Sequence, residues 1–134
     1  MTTPDSIAAI RRHIIHSRQY FDNGLAALQN AEAGKAGELL WGSVAEILHA
    51  FATYMNTPIR THRDLKNFVI QLGRELEDPT IQTDFAIVES LHHNFYEVQQ
   101  EPIDIEIVVP TVRELVWKLF GLIPPEATRQ QITT

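Results

Sequence analysis

The 134-residue sequence predicts an all-α protein, an antiparallel bundle of four or five helices. Three observations lead there. Apolar residues recur every three or four positions through nearly every long segment. Capping residues and prolines divide those segments into lengths typical of helices. Only one stretch, near Ile103–Val109, alternates as a strand does, and a lone strand would have nothing to pair with.

The first helix is expected from about Pro4 to Glu32. Thr3 can cap it and Pro4 suits its first turn. Ile7, Ile10, Ile14, Phe21, Leu25 and Leu28 make its stripe, and Gly34 offers a stop. The second is expected from about Ala36 to Met55, with Leu40, Val44, Ile47, Leu48, Phe51 and Met55 inward, and ends ahead of Pro58. The third begins near Thr61, whose side chain can box with Asp64. Its stripe is Leu65, Phe68, Val69, Leu72 and Leu76. Asp78-Pro79 opens the fourth, with Ile81, Phe85, Val88, Leu91 and Phe95 inward. Residues 103–110 read two ways, extended or helical. Helix from about Ile103 to Phe120 fits the rest of the chain better, with Pro110 a kink or the true start. Residues 1–123 then form one domain, and 124–134 are expected to be a flexible tail.

Composition narrows the function. There are no cysteines, so disulfides and thiolate metal sites are excluded. No stretch approaches the roughly 20 apolar residues of a membrane span, and the N-terminus lacks a signal-peptide core. A cytoplasmic protein is the expectation. Net charge is −6, which disfavours broad nucleic-acid binding. The acids are uneven, however: residues 74–106 hold nine against one base, while 1–73 hold six against seven bases. The bases gather at Arg11, Arg12 and Arg18, then at Arg60, Arg63 and Lys66. The second group coincides with a helix start, where backbone N–H groups favour anions, and is the candidate anion or nucleotide site.

The stretch ESLHHNFYE, Glu89–Glu97, is the densest in chemistry. His92 falls in the centre of the fourth helix's apolar stripe, so it is expected buried and hydrogen-bonded. Glu89 and His93 fall at the edge. A histidine held beside an acid can also move a proton, which makes His92 and His93 the candidate catalytic residues. Glu46-x-x-His49 and Glu89-x-x-His92 together suggest the two-metal site of some helical bundles. Helical geometry argues against it: Glu46 lies off its helix's apolar face and His49 nearly opposite. No metal and no cofactor are expected.

Glu38-Leu-Leu-Trp-Gly-Ser43 and Leu91-His-His-Asn-Phe-Tyr-Glu97 resemble the archaeal PaREP-type repeat family, whose members look like HEPN helical domains. The likeness spans roughly residues 20–120. It implies a helical bundle, often a homodimer, in RNA- or nucleotide-linked toxin or defence systems, with a possible protein partner. HEPN ribonucleases carry an arginine four to six residues before a histidine. No arginine stands there before His92 or His93; the nearest upstream is Arg74. Arg11 and His16 have the spacing, but on the first helix. The expected function is therefore a non-catalytic binding or accessory module. The alternative is a metal-independent ribonuclease using His92 or His93.

Overall fold

The computed structural model describes residues 3–97 and 100–128, and of residues 93–97 the helical backbone alone. Among the described residues all regular structure is helical. The α-helices are α1 (Pro4–Gln29), α2 (Ala33–Tyr54), α3 (His62–Glu75), α4 (Pro79–Glu97), α5 (Pro102–Glu106) and α6 (Val109–Leu122), followed by a 3₁₀ turn at Pro125–Ala127. None is long and apolar enough to cross a membrane.

The starts follow the capping chemistry. Thr3 accepts the Ser6 N–H, with Pro4 in the first turn of α1. Thr61 and Asp64 cap each other's backbone at the head of α3. Asp78 accepts the Thr80 N–H ahead of Pro79. Residues 103–110 resolve as two helices, α5 and the first turn of α6. Ile105 and Val109, four apart, are buried, while Ile103 and Ile107 are exposed. Pro110 sits in the first turn of α6, where its missing N–H costs nothing.

α2 ends at Tyr54, as expected, but the stop of α1 differs from expectation. Gly34 does not stop α1; it lies inside α2. The chain turns instead at Ala31, in the left-handed region at φ 57°. Asn56 (φ 56°) and Glu77 (φ 53°) do the same after α2 and α3. Each is followed by a residue whose N–H reaches back five positions, Glu32 to Ala27, Thr57 to Ala52 and Asp78 to Gly73. Three successive helices thus close with Schellman motifs, none using glycine.

α2 is the centre of the molecule, packing against α1, α3, α4, α5 and α6. Its buried residues accordingly lie on several sides, Leu40, Trp41, Val44, Ile47, Leu48, Phe51 and the small Ala36, Gly37, Ser43 and Ala50 among them. α1 runs antiparallel along it, very close. The buried residues of α1 are Ile10, Ser17, Gly24 and Ala27, mostly small, and the larger Ile14, Phe21, Leu25 and Leu28 flank the contact half-buried. Ser17 Oγ donates to the Ser43 carbonyl at 2.6 Å, and Ser43 Oγ to the Leu40 carbonyl at 2.7 Å, so both buried hydroxyls are satisfied. At the far end the chain stays packed through Ala127, which is buried, and Lys118 of α6 binds Asp78 at 2.9 Å. Residues 129–134 of the expected tail lie outside the described residues.

Candidate functional site

The polar stretch of α4 meets two other helices. Glu89 lies on the side of α4 that faces α3, and its Oε2 accepts a hydrogen bond from His62 Nε2 at 2.6 Å. His62 is the first residue of α3, held there by the Thr61–Asp64 box. One turn on along α4, His92 donates from Nδ1 to Glu38 of α2 at 3.1 Å. Trp41, one turn beyond Glu38, fills the middle. Its indole stacks on His92 at 5.4 Å, tilts against His62 at 5.7 Å and meets Phe85 edge-on at 5.6 Å. The two imidazoles lie 6.2 Å apart, 25° from parallel.

The apolar stripe read from the sequence is buried at Ile81, Phe85, Val88 and Leu91, but its two polar positions exchange places. Glu89, placed at the edge, is buried, whereas the His92 side chain, placed at the centre, is 35% exposed. The reason is the wall that Trp41 and Glu38 form. Their long side chains reach across from α2 and hold His92 at the rim of the core. Meanwhile Glu89 turns inward because His62 supplies a donor there. His93, with Asn94, Phe95, Tyr96 and Glu97, lies outside the described side chains.

Chemically, this is two imidazole–carboxylate pairs about one indole. A carboxylate on one ring nitrogen fixes where the ring's proton sits and holds the ring plane. Trp41 is only 8% exposed, so it packs against both histidines and is no platform for an incoming base.

The basic residues border the same place. Arg60, Arg63 and Lys66 are exposed on and just before α3, on either side of His62. The backbone donors there are not all free for an anion, as the helix start had suggested. Asp64 takes the N–H groups of Arg60 and Thr61, at 3.0 and 3.2 Å. The Arg60 N–H bond is the main reason its carboxyl is held below the usual range.

A second histidine cluster lies along α2 on the side of α1. His13 Nδ1 donates to Glu46 at 2.6 Å and stacks on His49 at 5.5 Å. His49 does not point to solvent, as helical geometry alone suggested, because α1 covers that side of the central helix. Glu46-x-x-His49 and Glu89-x-x-His92 thus serve separate clusters. No group of three or more acids and histidines among the described residues could hold a metal ion. On α1 His16 stacks on Tyr20 at 6.1 Å, and Arg11 is half-buried.

The sequence reading missed Glu38 and His62 as members of the site. Glu38 had a signal in its place one turn before Trp41. His62 had one in its place inside the cap of α3.

No curated protein and no solved structure matched the chain. The archaeal PaREP1/PaREP8 family model matches residues 12–116, which takes in both histidine clusters and the whole Trp41 site. With that match over most of its length, the chain belongs to the archaeal PaREP1/PaREP8 family.

Proposed function

We propose that this chain is a non-catalytic binding module on a HEPN-like bundle, working as a homodimer in an RNA- or nucleotide-linked system of toxin–antitoxin or defence type. The phosphate of the ligand sits at the head of α3, on Arg60, Arg63 and Lys66. One observation carries the reading: His62, between two of those bases, is the residue bonded to Glu89. The basic stretch and the polar stretch of α4 are therefore one locality, although 27 positions separate the bonded residues. The His–Glu pairs and Trp41 keep the first turn of α3 fixed against α4 and α2, which holds the three bases in place. Such pre-organisation favours binding without requiring any bond to break.

Fluorescence anisotropy with a labelled RNA oligonucleotide and a labelled nucleotide, at low salt, tests this. Wild-type protein should bind one of them. Replacing Arg60, Arg63 and Lys66 together by glutamine should abolish binding and leave the thermal midpoint nearly unchanged. Wild-type protein that binds neither probe overturns the reading, as does binding by the triple variant.

A second reading is favoured by the two imidazoles 6.2 Å apart, each on its own carboxylate. Metal-independent RNA cleavage uses such a pair, one ring to take the 2′-hydroxyl proton and one to protonate the leaving oxygen. The same RNA, incubated with chelator and run on a denaturing gel, distinguishes the two. Cleavage lost in His92→Ala would replace binding by catalysis.

A further inference from the structure

Helices α1 and α6 both lie along α2 but barely touch each other. Between them runs a groove of about 510 Å³. Ile14 and Phe21 form one wall, Val116, Trp117 and Phe120 the other, and Ile47 of α2 the floor. The wall on α6 does not stop at the groove. Trp117 is 73% exposed and Phe120 41%, their rings stacked at 6.0 Å, so an aromatic ridge stands proud of the surface. On α1, Ile15 is also exposed, at 51%. Exposed apolar area of this kind, rimmed by charge, is the usual mark of an interaction surface.

The shape selects the occupant. A small ligand needs only the groove and gives the indole ridge no cover. A second copy of this chain brings both a ridge and a groove, and a two-fold axis matches each to the other. The charges agree. Around the groove stand Arg18 and Arg113 against Asp22, so both signs are present there on a chain whose net charge is −6. Two whole molecules repel, yet the groove carries none of that acidic excess, and rotation can set each Asp22 near an arginine of the other copy. Arg113 is held over the Phe21 ring at 5.4 Å, which fixes part of that rim.

We propose that this α1–α6 patch is the contact of a two-fold homodimer, with Trp117 of each copy seated in the groove of the other. It rests on the homodimer reading above and adds the surface and the residue that make it.

Light scattering at micromolar concentration, on the full chain, is the test. Wild-type protein should show twice the 15.3 kDa chain mass. Trp117→Glu should show the single mass with its helical circular dichroism retained, since the side chain is largely in water within one copy. Trp117→Phe should stay dimeric. Arg113→Glu sets a carboxylate against the partner's Asp22, so its dimer should be lost at low salt and regained at high salt. A monomeric wild type overturns this contact together with the homodimer reading. A dimeric Trp117→Glu protein, or an Arg113→Glu dimer indifferent to salt, overturns the contact alone and leaves the homodimer standing.

Discussion

Burial between α1 and α2 holds the His49 imidazole below the ordinary histidine value of 6.5, with His13 adding to the effect and Glu46 opposing it. The folded state therefore binds this proton less readily than the unfolded chain. Stability contributed here is complete above about 6.5 and declines as pH falls below it, until the folded group also titrates. Thermal midpoints at pH 7.5 and 5 check this: His49→Gln should reduce the drop between them. An unchanged drop would place the acid sensitivity elsewhere. The two carboxylates of the Trp41 site differ in the same way, through exposure. The Glu89 side chain is 11% exposed and that of Glu38 33%. Glu89→Ala should cost about 2 kcal/mol, the scale of a charged hydrogen bond lost from the interior. Glu38→Ala should cost under about 1 kcal/mol, as solvent-screened pairs do. Urea unfolding of both variants measures the order, and equal costs would contradict the burial argument.

At the scale of the element, the starts of α1, α3 and α4 were legible in the sequence, as was the end of α2 near Met55, but the stop after α1 and the left-handed turns were not. Thr3, Thr61 and Asp78 announce starts because a short polar side chain at the cap has one evident use. The turns at Ala31, Asn56 and Glu77 gave no such signal, since the expected residue at a left-handed position is glycine. The conformation is imposed by the packing of the helices on either side. Ala31→Gly and Glu77→Gly should then each stabilise the protein by about 0.5–1 kcal/mol, by removing Cβ strain. Asn56→Gly should change little, because asparagine already tolerates the region. The glycines inside helices report the opposite constraint. A Cβ at Gly24 would lie 2.9 Å from Leu40 Cγ, whereas at Gly121 it would meet nothing within 4 Å. Gly24→Ala should destabilise by about 1–3 kcal/mol through overpacking. Gly121→Ala should stabilise by about 0.4–1 kcal/mol. Differential scanning calorimetry of these variants would show whether α1 and α2 are as close as described.

For the whole molecule, the all-helical class was legible because periodicity is a local property. The arrangement was not, because it depends on which helix is central. α2 carries apolar residues all round, and that broad distribution was read as one face with His49 behind it. Once α2 is placed inside, Glu46, His49, Glu38 and Trp41 all acquire partners that no spacing within one helix could reveal. Charge at this scale bounds the binding proposal. In that proposal three bases, those at α3, are offered to a phosphate backbone. The logarithm of RNA affinity should then fall against the logarithm of salt with a slope no steeper than about −2, the value for three neutralised phosphates on a single strand. A slope of about −4 or steeper would require a basic surface that Arg60, Arg63 and Lys66 cannot supply.

The two tryptophans occupy opposite environments, Trp41 enclosed between His62 and His92, Trp117 on the outer surface of α6. That difference gives the protein two separate optical channels. Emission from Trp41 should be blue-shifted, because its indole is only 8% exposed. Emission from Trp117 should be red-shifted and should move to the blue on association with another subunit. Trp117→Phe leaves a protein whose fluorescence reads the histidine site alone, and Trp41→Phe one that reads the outer face alone. A change of intensity on adding RNA or nucleotide in the first, and a concentration-dependent blue shift in the second, would report on the proposed ligand site and the proposed dimer contact independently, without any attached dye.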